Sequence, residues 1–79
     1  MNKQISTIGI IVKDYTQIPE INMLLHKFSD CIISRLGMPY PERNVRLIHV
    51  LMDTFQADVE RLVEELNAIN GVEAQAMYF

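Results

Sequence analysis

The sequence has no tryptophan, one cysteine and three isolated glycines among its 79 residues. Each scarcity removes a class of function. A single thiol, Cys31, closes no intramolecular disulfide and supplies neither an iron–sulfur ligand set nor a Cys-x-x-Cys metal site. It reads as a small buried hydrophobe in a protein of a reducing, cytoplasmic compartment. The only other soft ligands are His26 and His49, at no spacing that converges on one ion, so neither metal nor cofactor is expected. Gly9, Gly37 and Gly71 stand too far apart for a phosphate-cradling loop. No long apolar run is present either: Ile8–Val12 is too short for a signal core or a membrane span and meets Lys13 and Asp14 at once. Neither a targeting segment nor a membrane partner is expected. Basic residues are also few, seven against ten acidic for a net charge of -3. That balance offers no field for a phosphate backbone, so no direct nucleic-acid partner is expected.

What remains is an ordinary globular composition, 49% hydrophobic and 22% charged. A chain this short folds around one core, so residues 1–79 make a single domain. From Gln4 to Lys13, β-branched residues run into an unbroken apolar stretch, the mark of a strand buried in the middle of a sheet. After Tyr15 the period changes to Ile18, Ile21, Leu25 and Phe28, one face of a helix that Thr16 or Gln17 starts and that tolerates Pro19 in its first turn. Continued to Leu36 it would be about 30 Å long, against roughly 20–23 Å for a neighbouring strand. The helix therefore ends near Asp30, and Cys31–Tyr40 becomes an irregular strand, at an edge because Pro39 has no amide to donate.

Pro41–Asn44 turns the chain and Val45–Asp53 returns it as a hairpin. Thr54 is placed to cap a second helix showing Val59, Leu62, Val63, Leu66 and Ile69 on one face, with Glu60, Arg61, Glu64 and Glu65 toward water. Asn70-Gly71 ends that helix and Val72–Phe79 closes the chain as a strand. The order βαββαβ is the α+β, ferredoxin-like arrangement: a four-stranded antiparallel sheet with both helices on one face and the first and third strands in the middle.

Alternation then sorts the strands. If Ile8, Ile10 and Val12 face the helices, so do Ile48, Val50, Met52, Ala74 and Ala76. The uncovered face carries Ile11, Leu47, Leu51, Met77 and Phe79, with His49 and Gln75 to fix register. A contiguous apolar patch marks a partner surface, whereas scattered apolar residues on a half-solvated sheet are ordinary. A core of this size typically supplies only about 3–5 kcal/mol, which favours assembly into a homo-oligomer through that face. Stacking of single-stranded RNA needs aromatic residues on the central strands, and this face offers only Phe79. The most unusual stretch is Gly37-Met38-Pro39-Tyr40-Pro41-Glu42-Arg43. It reads equally as a stiff hairpin whose arginine meets solvent or a neighbouring subunit, and as a shaped loop with polar handles for a ligand.

Ile8–Asp14, the helix Ile21–His26 with Asp30, the loop Gly37–Arg43 and the ending Asn70-Gly71-Val72 together resemble the small candidate regulators of the iron-only hydrogenase system. The similarity covers almost the whole chain, and its most specific element is Gly-x-Pro-Tyr-x-Glu-Arg. The resemblance implies an ACT-like ligand-binding fold. A more distant similarity runs to the regulatory half of nickel-responsive repressors, whose core shares this fold. His26 aligns with one nickel-ligand position there, but Gly37, Pro39 and Val45 occupy the others and offer no ligating side chain. Those repressors carry a DNA-reading segment ahead of this core, whereas here the first strand is expected to begin near residue 4, so no such reader is expected. The connection Lys13-Asp14-Tyr15-Thr16 has neither the glycine common in amino-acid-binding ACT modules nor the arginine cradle of acylphosphatases.

The implied function is a non-enzymatic regulatory module, a dimer or tetramer, that binds a small-molecule effector in a pocket between subunits. Tyr40, Arg43 and His26 would line it, with Gly37 and Pro39 shaping the loop. The alternative is an assembly adaptor that takes a protein partner and no small molecule.

Overall fold

The computed structural model describes residues 2–79. Its elements are β1 (Gln4–Val12), α1 (Ile18–Lys27), β2 (Ile32–Tyr40), β3 (Val45–Thr54), α2 (Gln56–Asn67) and β4 (Val72–Tyr78). The sheet is antiparallel throughout, in the order β2-β3-β1-β4. β1 and β3, the strands with the longest apolar runs, are central as their composition demands. The fold is the ferredoxin-like one, with both helices packed on one side.

That side holds the core. Ile8, Val12, Val50 and Met52 of the central strands and Ile21, Val59, Leu62 and Leu66 of the helices are completely inaccessible to solvent. Each such side chain contributes roughly 1.5–3 kcal/mol through burial. Leu24 joins Ile21, Leu25 and Phe28 in the core, and Ala74, small and buried, lets α2 approach β4 closely. Cys31 is half-buried, packed at the margin of the core.

Several boundaries differ from the sequence-based expectation, each for a local reason. α1 ends at Lys27, and a 3-10 turn at Ser29–Cys31 takes the chain into β2. Thr54 does not cap α2: it is the last residue of β3, buried, and its hydroxyl donates to Asp58 Oδ2 at 2.8 Å. Phe55, in extended backbone, occupies the cap position and offers no side-chain acceptor. α2 stops at Asn67 rather than at Asn70-Gly71: the Ile69 amide turns back to the Leu66 carbonyl and the Val72 amide to that of Ile69, and the Asn67 side chain reaches across to β4. It donates to the Ala74 carbonyl at 3.0 Å and accepts the Ala74 amide at 2.8 Å. This side chain thus pairs with the outer edge of the last strand. β4 ends at Tyr78, and the Phe79 amide donates to the Ile5 carbonyl.

The two connections at one end of the sheet are locked together. Asp14 Oδ1 accepts from the Thr16 amide at 3.0 Å and from its hydroxyl at 2.6 Å, while the Lys13 amide donates to the Gly71 carbonyl at 2.7 Å. These bonds, the Thr16 hydroxyl foremost, hold the Asp14 carboxyl below the usual carboxylate range. Gly71 has φ +78°, and a Cβ there would lie 3.0 Å from that of Asp14. Both the left-handed backbone and the close approach require glycine.

Two outcomes follow from this corner. Gly71→Ala should cost about 1–2 kcal/mol, a fall of roughly 4–8 °C per kcal/mol in the thermal midpoint. Gly9→Ala, with nothing within 4 Å of its Cβ, should stay within about 0.5 kcal/mol of the parent; equal losses in both variants would remove the argument. Asp14→Asn tests the charge. Because the native carboxyl titrates below its unfolded value, its stabilisation is present above about pH 4 and is lost as pH falls through the native value. Urea midpoints of parent and variant should therefore differ at neutral pH and converge in acid, and a gap independent of pH would contradict this.

Candidate functional site

The sheet's second face has no helix over it, and strand register shows what it presents. Across the strands run the rows Met38–Leu47–Ile11–Glu73, Leu36–His49–Gly9–Gln75 and Ser34–Leu51–Thr7–Met77. Ile5, Ile11, Leu36, Met38, Tyr40, Met77 and Phe79 are all exposed, from 36% at Ile11 to 71% at Phe79. The expected patch of Ile11, Leu47, Leu51, Met77 and Phe79 is thus joined by Leu36, Met38 and Tyr40 of β2, which sequence reasoning missed. A bulge between Ile32 and Ser34 hides them, since it resets which β2 residues alternate to this side. Tyr40 also corrects the expectation that Phe79 is the only aromatic residue there. His49 and Gln75 are exposed on the same face.

At one end of this face lies a recess of about 620 Å³. Its floor is Ile11, Val45 and Leu47; Tyr40, Arg43 and Asn44 of the β2–β3 turn rise on one side and Lys13 and Glu73 on the other. The turn is a single 3-10 segment, Pro41–Arg43, closed by Asn44 at φ 53°, whose amide donates to the Pro41 carbonyl at 3.1 Å. Asparagine tolerates this left-handed conformation better than most residues. Below the turn, the Tyr15 hydroxyl donates to the Val45 carbonyl at 3.1 Å. The β1–α1 connection is thereby pinned to the start of β3. Lys13 Nζ stands 3.8 Å from Glu73 Oε2, both well exposed, so this pair contributes little to stability.

Tyr40 and Arg43 therefore share one recess, together with Ile11 and Leu47 of the apolar face. The other expected site residues lie elsewhere. Gly37 pairs with Ile48 and Pro39 with Arg46, which puts both on the helix side of β2. The Arg46 guanidinium lies across Gly37, 3.7 Å from where a Cβ would stand. His26 is exposed in the last turn of α1, in the other layer. Lys13, Asn44, Val45 and Glu73 were not singled out by sequence. The signal for Lys13 and Glu73 was their opposite charge at the same end of two strands that the topology makes neighbours.

Among the described residues no three His, Cys, Asp or Glu side chains gather in a way that could hold a metal ion. The arrangement instead suits binding: a shallow apolar floor bounded by an arginine, a lysine, a carboxylate and a phenol.

The fold and this recess define a small α+β module of ferredoxin-like topology with one naked sheet face. The family model of the TM1266-like proteins, described as candidate regulators of the iron-only hydrogenase system, matches residues 4–76. This chain belongs to that family. The solved structure of the uncharacterized protein TM1266 from Thermotoga maritima superposes with a TM-score of 0.92 at 28% sequence identity, covering 99% of each chain. The C-terminal domain of the MgtC protein from Mycobacterium tuberculosis, solved in solution, reaches 0.77 at 14% identity over 99% of this chain and 89% of that one. That likeness is one of fold. No curated protein matches the chain.

Nickel gives a direct test of the distant repressor similarity. Calorimetry of the purified protein should show no stoichiometric binding tighter than about 1 µM, because His26 has no ligating neighbours to complete a site. Sub-micromolar affinity that His26→Ala abolishes would overturn this.

Proposed function

We propose that this chain is a non-enzymatic, homo-oligomeric regulatory module of the iron-only hydrogenase system that binds a small effector beside Tyr40 and Arg43. The family description is that of a regulator rather than an enzyme. One observation carries the rest: Ile11 and Leu47 belong both to the recess and to the apolar sheet face. A second copy packed on that face would roof the recess, so effector binding and assembly would support one another.

The dimensions suit such a contact. Four strands about 4.8 Å apart and seven to ten residues long present roughly 450–600 Å² in projection. The rougher accessible surface approaches the roughly 800 Å² that each partner gives to a standard interface. A self-complementary two-fold contact is the simplest solution. Among the described residues no helix is long and apolar enough to cross a membrane, and the single unpaired cysteine fits a reducing cytoplasm.

The second reading, an adaptor that takes another protein on this face, is favoured by the same exposed Leu36, Met38 and Met77. Analytical ultracentrifugation separates the two. The parent should sediment as an oligomer at tens of micromolar. Leu47→Glu or Leu51→Glu should move it toward monomer, raising the dissociation constant by roughly 100-fold, since an unpaired carboxylate would be buried in the contact. A parent monomer rejects assembly and leaves the adaptor, and an oligomer unchanged in both variants rejects the face.

A further inference from the structure

We propose that the recess at the β2–β3 turn binds a small monocarboxylate with an apolar body, Arg43 taking the carboxylate; the inference rests on the ligand-binding part of the reading above. The first argument is charge. Lys13 and Arg43 bring two positive charges and Glu73 one negative, leaving a single positive charge for a ligand to meet. Lys13 is already paired with Glu73. Arg43 makes no ion pair and no side-chain hydrogen bond among the described residues. It is the cation with its donors free.

The second argument is geometry. A guanidinium presents two parallel N–H donors that match a carboxylate. The backbone carrying this one is stiff, because Pro41 opens the turn and the Asn44 amide closes it on the Pro41 carbonyl. Little order then has to be imposed on the turn when a ligand binds.

The third is the floor. Ile11, Val45 and Leu47, with the Tyr40 ring beside them, offer hydrocarbon rather than further polar groups, and the volume lies in the range of small-molecule sites, about 300–1,000 Å³. A second anionic group on the ligand would face Glu73. An ammonium group would rest on the apolar floor or compete with Lys13 for its partner. Dianionic phosphates and zwitterions are therefore disfavoured, and a lone carboxylate on an aliphatic or aromatic body fits.

The test is a titration of the full-length protein with 3-phenylpropanoate, its neutral amide 3-phenylpropanamide, and inorganic phosphate, followed by backbone amide and arginine side-chain NMR shifts. The carboxylate should give saturable shifts at Ile11, Tyr40, Arg43 and Asn44, with the amide and phosphate each at least about tenfold weaker. Arg43→Gln should lose about tenfold in carboxylate affinity, and Arg43→Lys, which keeps the charge but not the fork, should lose less. Equal binding of acid and amide, phosphate binding as tight, an unaffected Arg43→Gln, or no shifts at about 10 mM would each overturn the proposal. Native mass spectrometry of protein from its own cells tells this failure from failure of the broader reading. A different retained molecule on an intact oligomer defeats only the carboxylate, whereas a bare monomer defeats the effector-binding module itself.

Discussion

Two helices cover one face of a four-stranded sheet and leave the other bare, and most of what is particular to this protein follows from that. The helix-side residues of β1 and β3 form the core with the inward faces of α1 and α2, and among the described residues no helix is left to cover the other side. Everything alternating to the opposite side must be solvated or covered by another molecule. Here that side carries apolar residues in the rows of Met38, Leu47 and Ile11 and of Leu51 and Met77, with His49 and Gln75 in the row between them, and at one end Lys13, Arg43 and Glu73 surround the recess. The same alternation that builds the core therefore also builds the candidate site, one residue out of phase.

Local hydrogen bonding at the sheet's ends decides where that surface stops. The Asp14–Thr16 cluster, the Lys13–Gly71 bond and the close approach at Gly71 tie the β1–α1 and α2–β4 connections into one corner beside the recess. Asn67 occupies backbone groups on the outer edge of β4 at Ala74. On the opposite edge, Pro39 and the bulge near Ile33 interrupt β2. Both edges are thus blunted against strand addition, while the broad face is left free.

Membership in the TM1266-like family joins this architecture to a group described as candidate regulators of the iron-only hydrogenase system. The close superposition on a protein sharing 28% of its residues indicates that the sheet, the open face and the hairpin turn belong to a common frame. The charge pattern within the recess is then what would adapt that frame to a particular effector. In the function proposed for this chain, arginine on a proline-stiffened turn above a hydrocarbon floor plays that part.

Sequence alone determined the element order, the central place of β1 and β3, the helix faces and the apolar side of the sheet. Each of these rests on periodicity, which is local and repeats along the chain: period two in Ile8–Ile10–Val12 and the 3.6-residue face through Ile21, Leu25 and Phe28. It also singled out Tyr40 and Arg43, because glycine, two prolines and a charged pair in seven residues are locally conspicuous. Tertiary structure decided the rest. The β2 bulge, which no local pattern marks, put Leu36, Met38 and Tyr40 on the open face. Pairing of β1 with β4 brought Glu73 to Lys13, and packing into separate layers kept His26 away from Arg43. Thr54 found its partner in Asp58 rather than as a helix cap, and Asn67 found Ala74 on the neighbouring strand. Such contacts depend on register and on which elements lie side by side, and these are properties of the closed sheet that no single segment carries.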